Sequence, residues 1–322
     1  MEESDSDSED DSSSGKCLGI SIRRARISDV DDIFRIYSES IQYLDVESRE
    51  WIAGVIRKRS RRIRIYVAIS NKSVAGFAIV YKKRDKAYVD ALAIDETFRG
   101  RGIGECLLRS VEEVLAGEGV EKIYLTVKNH NNRALGMYVK NGYRISNVIL
   151  VLETKLGNID ISVDKRVLER TRISVDSVKR ASIPRVKLLD LTMWNNFTWD
   201  VDEAIYRLSG EEVTIITVYK GRRVAGVAQL STVSGKVVVE RLALSYYRPT
   251  ESLKVLIDSV KRFADRGTDT GIVIPVDSSK TSLLKTLISM GFRIVDSEYV
   301  LYKEVGEEQE KGIGNVALAK HV

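Results

Sequence analysis

The chain of 322 residues repeats its own pattern once, and this repeat restricts its fold more than any other feature. Three blocks of the first half return 149 or 150 positions later: SVAGFAIV at 73–80 as RVAGVAQL at 223–230, VDALAI at 89–94 as VERLAL at 239–244, and NGY at 141–143 as MGF at 290–292. Matched blocks with a nearly constant offset indicate two copies of one folding unit. The length also favours two domains.

A further match, IRRARI at 22–27 with VKRASI at 178–183, places a charged linker between the copies. We therefore predict an acidic tail at 1–16, a first domain at 17–156, a linker at 157–176, a second domain at 177–305 and a flexible tail at 306–322. Residues 1–16 contain seven acids and one lysine, a local charge of 1 − 7 = −6. Without large apolar residues after Met1, this tail is predicted to be disordered.

Hydrophobic periodicity predicts the same order of elements in both copies. In the first copy it gives a short strand, two helices, and two strands joined by a turn at Asn71 and Lys72. A third strand then runs into a glycine-rich loop, followed by a helix, a strand, a further helix and closing strand material. This order predicts an α/β fold with a mixed sheet crossed by a few helices.

Composition excludes some classes of protein. No apolar run approaches the ~18 residues of a membrane span, and the acidic N-terminus does not resemble a secretory signal. With only two cysteines, the chain is predicted to be cytoplasmic. The net charge of +5 leaves 5 + 6 = +11 outside the acidic tail, which suits an anionic cofactor, nucleic acid or simply a solvated surface. Nucleic acid is disfavoured because aromatic residues are not interleaved with the basic runs.

A glycine-rich loop lies between the third strand and the next helix. Its residues are Arg99, Gly100, Arg101, Gly102, Ile103 and Gly104. Glycines let backbone amides approach a ligand closely, and a helix N-terminus adds partial positive charge, so the loop suits a pyrophosphate. It is not a P-loop, because no Lys-Ser/Thr pair follows Gly104, and it comes too late in the strand order for a Rossmann fingerprint. No Cys/His cluster has the spacing of a metal site.

The loop and its flanking segments resemble a known family. The strand VDALAID, the pattern Arg-x-x-Gly-x-Gly at 99–104 and the segment LTVKNHNNRALGMYVKNGY at 125–143 are similar to the acetyl-CoA half of the GNAT acetyltransferases, over about residues 20–155. The resemblance implies tandem GNAT-type folds, each a mixed, mostly antiparallel twisted sheet flanked by helices. It also implies acetyl-CoA as co-substrate, with the loop amides on the coenzyme A pyrophosphate.

The resemblance also implies roles for individual residues. The backbone of Leu92, Ala93 and Ile94 would contact the pantetheine arm, and the Leu92 amide would polarise the thioester carbonyl. Asn131 and Tyr138 are seven residues apart, so we predict that they share a helix face. Asn131 would then contact coenzyme A, and Tyr138 would protonate the departing thiolate as general acid. The other interpretation of Tyr138 is a core aromatic.

The general base is less defined by the sequence. Strand alternation places Asp90 on the face of Leu92 and Ile94, where it either deprotonates an incoming ammonium or orients a basic substrate or a neighbouring arginine. We expect His130 to be an exposed loop residue and Cys106 to be a packing residue.

Two departures from the family bear on which acceptor substrate the protein would use. GNAT enzymes that acetylate protein N-termini commonly carry Glu or His where this sequence has Thr126, and they have a Tyr-bearing final hairpin, which RISNVILVLE at 144–153 lacks. Both differences weaken assignment to protein N-termini, but not to acetyl transfer. The first two helices carry no motif, so the acceptor is expected only to be a primary amine of a small molecule or protein. The oligomeric state stays open.

The second copy is predicted to have lost the site. At the loop position it has YYRPTESL at 246–253, without glycine and with Pro249, which removes one backbone donor. Lys280 and Leu287 replace Asn131 and Tyr138, and Glu240 replaces Asp90. We therefore predict an N-acetyltransferase whose second domain serves packing, substrate closure or regulation. The alternative is a non-catalytic scaffold that senses acyl-CoA or binds a partner, which would not need all the motif residues of the first copy.

Overall fold

The computed structural model describes residues 19–44, 47–178, 189–191, 213–245, 247–265 and 270–305. They form two compact units. The first takes the described residues of Met1–Val80, Val89–Ile123 and Glu304–Val322, and the second takes those of Tyr81–Tyr88 and Tyr124–Lys303. The predicted tails at 1–16 and 306–322 lie outside the described residues.

The first unit contains four neighbouring strands and three helices. In chain order its elements are β1 (Ile20–Arg24), α1 (Val30–Ser38), α2 (Arg49–Lys58), β2 (Ile63–Ser70), β3 (Ser73–Lys83), β4 (Lys86–Ile94) and α3 (Ile103–Gly117). The strands are neighbours in the order β1-β2-β3-β4, and β1 is antiparallel to β2. Asn71 and Lys72 have φ of 51° and 65°, so the predicted turn between β2 and β3 is confirmed.

The helices of this unit bury one face each. On α3 the buried apolar residues recur at three- and four-residue spacing: Ile103, Leu107, Leu108, Val111 and Leu115. Helix α2 begins where the Ser48 side chain accepts a hydrogen bond from Trp51 N, at 3.1 Å. Because the apolar face of α3 is buried, its N-terminus has a fixed position after the loop.

The second unit holds the rest of the described chain. Its elements are β5 (Lys122–Lys128), α4 (Asn132–Lys140), β6 (Arg144–Lys155), α5 (Lys165–Glu169), β7 (Thr171–Val178), β8 (Leu189–Leu191), β9 (Val213–Lys220), β10 (Arg223–Val233), β11 (Lys236–Ser245), α6 (Pro249–Ala264), β12 (Gly271–Asp277), α7 (Thr281–Ser289) and β13 (Arg293–Glu304). The sheet order is β5-β13-β6-β12-β11-β10-β9-β7, and β8 pairs with β11. β11 and β12 are parallel, whereas β10 is antiparallel to both its neighbours. The predicted α/β class, a mostly antiparallel sheet flanked by helices, is confirmed.

The two copies exchange their last strands within this unit. β6, from the first copy, is antiparallel to both β12 and β13 of the second copy. β13 is in turn the neighbour of β5, and Asn129 N, just after β5, donates to Ser297 O at 3.0 Å. Residues 149–153 of β6 are paired on both sides, so this part of the strand has no open edge. The compact units therefore follow spatial contacts and not the sequence repeat, and the predicted domain bounds stay a prediction.

Strand register corrects the alignment of the first strands. Ile22 of β1 pairs with Ala68, and Ile173 of β7 pairs with Val218, which lies 150 positions after Ala68. Ile22 therefore corresponds to Ile173, and the match of 22–27 with 178–183 is wrong by five residues. The apparent linker at 157–176 contains α5 and most of β7. The error arises because a five-residue strand with alternating apolar and basic residues matches several segments of a basic chain.

The core of the second copy packs beneath α6. Its buried side chains Leu253, Leu256, Ile257, Val260 and Ala264 form one face of this helix and belong to a cluster with residues of β9 to β12. This cluster preserves the strand–helix arrangement that carries the loop in the first copy. Among the described helices, none is long and apolar enough to cross a membrane.

Candidate active site

Strand β4 carries the residues predicted to lie beside the thioester. Ala91 and Ala93 are buried, whereas Asp90, Leu92 and Ile94 are partly exposed, so the last three share a face, as alternation predicted. Gly76 on β3 lies against the end of this strand. A Cβ atom on Gly76 would come within 2.7 Å of the Ala93 carbonyl oxygen and would clash with the Ile94 side chain. Glycine at this position therefore sets how closely β3 approaches the end of β4.

Asp95 fixes the start of the loop. Its amide donates to Ala75 O at 3.0 Å, and its carboxylate accepts hydrogen bonds from Thr97 N at 2.9 Å and Thr97 Oγ1 at 2.6 Å. Arg35 on α1 forms an ion pair with the same carboxylate at 2.7 Å. Burial opposes the charged form, but the hydrogen bonds from Thr97 and Arg35 outweigh it and lower the pKa of Asp95. The sequence interpretation missed this anchor, although an acid just before a glycine-rich loop is a recognisable capping signal.

The loop itself exposes backbone at a helix N-terminus. Gly100 and Gly102 have φ of 82° and 76°, the left-handed region that favours glycine, and both are exposed. Gly102 is the N-cap of α3 and supplies no capping side chain; Cys106 N donates to Gly102 O at 3.0 Å. The amides of Ile103, Gly104 and Glu105 therefore precede the first helical hydrogen bond and point out of the helix end. Such amides, together with the helix dipole, suit a phosphate oxygen.

The two loop arginines are held by the backbone. Arg99 Nε donates to Ile94 O at 3.0 Å, and Arg101 Nη2 donates to Thr97 O at 3.0 Å. Arg101 also lies over the Phe98 ring, 5.5 Å from its centroid. Both guanidinium groups are thus beside the loop, where each adds positive charge and keeps donors for an anion. The structure brings together the predicted residues from Asp90 to Gly104 in the first unit.

Asn131 and Tyr138 lie in the second unit, at opposite ends of α4. Asn131 precedes the helix as its N-cap, and its side-chain oxygen accepts from Ala134 N at 3.2 Å. Asn131 therefore caps the helix and does not extend it, and the shared face with Tyr138 stays a prediction. Tyr138 is 6% exposed, and its ring packs edge-on against Tyr143 at 5.6 Å between centroids. Burial raises the pKa of Tyr138 well above its ordinary value, so the hydroxyl keeps its proton.

The sequence also raised roles for three other residues, and the structure shows the surroundings of each: Thr126, His130 and Cys106. The Thr126 hydroxyl lies 2.9 Å from the hydroxyl of Tyr88, a pair that sequence patterns did not indicate. Because this pair contains neither a carboxylate nor an imidazole, it does not supply the base found at this position in some relatives. His130 is exposed, as expected. Cys106 is buried on α3, as expected of a packing residue, and the predicted reducing compartment stays a prediction.

The second copy presents a different helix N-terminus. β11 ends at Ser245 and α6 begins at Pro249, with Arg248 as N-cap. Glu251, in the first turn of α6, forms an ion pair with Lys220 on β9 and another with Arg248 at 3.5 Å. The hydrogen bond from Lys220 lowers the pKa of Glu251. The Glu251 carboxylate thus places a negative charge at the N-terminus of α6, where the helix dipole favours an anion.

The other counterparts in the second copy also differ. Leu287, the counterpart of Tyr138, is fully buried, and Lys280 is the N-cap of α7 without a capping hydrogen bond from its side chain. The described residues contain no group of three His, Cys, Asp or Glu side chains placed to hold a metal ion. Among the described residues, the buried tyrosine at the end of the helix and the glycine loop are therefore features of the first copy.

A strand with a partly exposed face, followed by a glycine-rich loop at an uncapped helix N-terminus, is an arrangement that suits a phosphate-bearing ligand. Residues 29–143 match the family model of the acetyltransferase (GNAT) family. Residues 29–143, within the first copy, are therefore similar to this family, and the chain has the fold of a tandem GNAT protein.

Solved structures support the same fold over most of the chain. A tandem GNAT protein from the clavulanic acid biosynthesis pathway has a TM-score of 0.64 at 12% identity, covering 89% of this chain and 99% of that one. A GCN5-related N-acetyltransferase from Sphaerobacter thermophilus has a TM-score of 0.57 at 15% identity, covering 88% and 95%. A putative acetyltransferase from Pyrococcus horikoshii has a TM-score of 0.53 at 14% identity, covering 89% and 90%. At these identities the likeness shows the fold.

Proposed function

We propose that this chain is an acetyl-CoA-dependent N-acetyltransferase that moves an acetyl group to a primary amine, with one active site in the first copy. The observation that carries the proposal is the uncapped N-terminus of α3, where Gly100 and Gly102 open the backbone and Arg99 and Arg101 add positive charge. This arrangement suits the coenzyme A pyrophosphate. The matching helix of the second copy follows a connection without glycine and begins at Pro249, which lacks an amide hydrogen, so one acetyl-CoA is expected per chain.

The chemistry follows from the roles proposed for β4 and α4. The amine nitrogen attacks the thioester carbonyl carbon, and the Leu92 amide stabilises the oxyanion that forms, with the backbone of Ala93 and Ile94 along the pantetheine. The carbon–sulfur bond then breaks and the thiolate takes a proton from Tyr138. The buried hydroxyl keeps its proton at neutral pH, so Tyr138 enters this step as an acid and not as a base. Asn131 contributes its side-chain amide group to coenzyme A.

The amine must lose a proton before or during attack. Asp90 is on the partly exposed face of β4 with Leu92, so its carboxylate either takes this proton, directly or through water, or orients the amine while water takes it. The Tyr88–Thr126 hydroxyl pair supplies no alternative base. An Asp90→Asn variant separates the two roles: loss of a base shifts the pH–rate profile, whereas loss of orientation raises KM for the amine.

The deciding experiment is coenzyme A release from acetyl-CoA in the presence of a panel of small amines and peptides. Transfer to a primary amine, with mass spectrometry showing one added acetyl group, supports the proposal. Calorimetry is expected to give one acetyl-CoA site per chain. One-site binding without turnover on any amine of the panel would favour the second candidate, an acyl-CoA-sensing or partner-binding scaffold.

A further inference from the structure

A dense basic cluster lies where α2 ends and β2 begins. It consists of Arg24, Arg57, Lys58, Arg59, Arg61 and Arg62, and all six side chains are exposed. The turn that carries them is fixed: Ser60 Oγ accepts from Arg62 N at 3.1 Å and from Ile63 N at 3.2 Å, and Arg24 Nη2 donates to Ser60 O at 3.0 Å. We call these six residues the basic cluster.

The cluster lacks the acidic partners that neighbouring arginines have. Among the described residues, none forms an ion pair with a member of the cluster, whereas other arginines of this unit are paired: Arg23 with Asp29, Arg35 with Asp95, Arg49 with Asp31, and Arg64 with Glu118. Arg64 contacts the cluster through the Arg61 carbonyl at 3.2 Å, but its own charge is matched by Glu118 at 2.7 Å.

The helix dipole accounts for only part of the cluster. Arg57 and Lys58 occupy the last turn of α2, where cations are favoured. Arg61 and Arg62 follow the helix and receive no such compensation. Several like charges held on one short turn repel one another, so an anionic partner is the arrangement that lowers this energy.

We propose that the basic cluster is the docking surface for the acidic segment 1–16 of the same chain. That segment carries seven acids against one lysine, a charge of −6, opposite six cations. It joins the fold at β1, and Ile20 and Arg24 at the ends of β1 are four residues apart, or about 13 Å in a strand. Eighteen residues span up to about 60 Å when extended, so the segment reaches the cluster with length to spare. Tethering gives a local concentration in the millimolar range, which compensates for weak individual ion pairs.

The chain contains a matched control for this contact. Lys72 is exposed in the turn after β2, and the adjacent β2 terminus, Ser70, pairs with Ile20, so Lys72 is closer than Lys58 to the point where the acidic segment joins. Proximity by itself therefore favours contact with Lys72. Docking on the cluster favours contact with Lys58.

Zero-length carbodiimide cross-linking of the full chain distinguishes these outcomes, because it joins a lysine amine to a carboxylate in contact with it. We expect cross-links from the acids of 1–16 to Lys58, at least fivefold more abundant than to Lys72. They should disappear in about 1 M salt, where screening extends to roughly 3 Å. They should also disappear in Arg57→Gln/Arg61→Gln/Arg62→Gln. Cross-links to Lys72 that equal or exceed those to Lys58 would overturn the proposal.

A second measurement uses inorganic polyphosphate as a probe of cluster access. A full-length variant with Glu→Gln and Asp→Asn at all seven acids should bind polyphosphate at least tenfold more tightly than the parent, because the internal competitor has lost its charge. The variant Arg57→Gln/Arg61→Gln/Arg62→Gln should bind polyphosphate weakly, whether residues 1–16 keep their seven acids or carry the neutral replacements. Equal affinity of the parent and the neutral-tail variant would show an unoccupied cluster open to nucleic acid, and the proposal would be wrong.

Discussion

The strand-to-helix connections of the two copies differ in length and in glycine content. In the first copy, residues 95–102 separate β4 from α3, and two glycines in the left-handed region open the backbone to a ligand. In the second copy only residues 246–248 separate β11 from α6, none of the three is glycine, and the helix begins at Pro249. Both helices carry an acid in the first turn, Glu105 in α3 and Glu251 in α6. The proposed loss of the binding site is therefore confined to a short connection, while the strands and the buried face of the helix are kept.

The largest effect is expected from a carboxylate at the coenzyme loop. Gly104→Asp should raise the acetyl-CoA Kd at least 100-fold, about 2.7 kcal/mol, because its charge repels the pyrophosphate. The variant should still fold, since an acidic residue in the first turn of a helix is favourable. Thr250→Asp places the same charge in the first turn of α6 and should leave the Kd unchanged. Calorimetry on both variants tests the comparison, and wild-type affinity in folded Gly104→Asp would contradict it.

The next effect concerns Tyr138, the proposed proton donor, which the second copy replaces with Leu287. Tyr138→Phe should lower kcat by about 100-fold, near the low end for positioned acid catalysis, with little change in acetyl-CoA affinity. Phenylalanine keeps the ring and its contact with Tyr143, so packing is preserved. Tyr143→Phe is the matched control and should have nearly normal turnover. A Tyr138→Phe enzyme with wild-type kcat, when chemistry limits the rate, would assign Tyr138 to the core.

A third prediction compares equivalent glycines on β3 and β10. A Cβ on Gly76 would come within 2.7 Å of a backbone oxygen, whereas on Gly226 the nearest atom is the flexible Leu244 Cδ2 at 3.2 Å. Gly76→Ala should therefore destabilise the protein by about 2 kcal/mol, and Gly226→Ala by about 0.5 kcal/mol or less. Thermal unfolding measures both. Equal losses of stability in the two variants would mean that β3 packs no more closely against the end of β4 than β10 packs against the end of β11.

Local features of the fold were predictable from sequence, but distant strand pairing was not. The Asn71–Lys72 turn and the alternation of Asp90, Leu92 and Ile94 depend on neighbouring residues, so periodicity identified them. The exchange of β6 and β13 depends on strands more than 100 residues apart, and a repeat in sequence favours pairing within each copy. The start of β7 was missed because a short strand provides too few positions for an unambiguous match.

In the candidate site, too, local features were predictable from sequence, whereas contacts between distant residues were not. The loop at 99–104 was predicted because glycines before a helix are a local signal. The N-cap geometry of Asn131 was missed because spacing alone does not reveal where a helix begins. The Tyr88–Thr126 pair and the Lys220–Glu251 pair join residues from separate elements, 38 and 31 positions apart, and no motif marks either pair. Side chains that reach between strands and helices become visible only when the fold is known.

The smallest effect is expected at Glu251, and it tests whether the internal anion stabilises the second copy. Glu251→Gln should cost on the order of 0.5 kcal/mol at pH 7, as for a partly exposed ion pair. Because the folded pKa of Glu251 is lowered, its contribution is present above the unfolded carboxyl value of about 4.3 and is lost as pH falls through the folded value. The difference between parent and variant in urea unfolding should therefore shrink towards zero near pH 3, and Lys220→Gln should abolish it at pH 7. A difference that is independent of pH would contradict the ion-pair explanation. Glu251→Gln should still bind one acetyl-CoA per chain, because removing the carboxylate neither lengthens the connection nor gives Pro249 an amide hydrogen. A second acetyl-CoA site in this variant would show that charge, and not backbone geometry, prevents binding in the second copy.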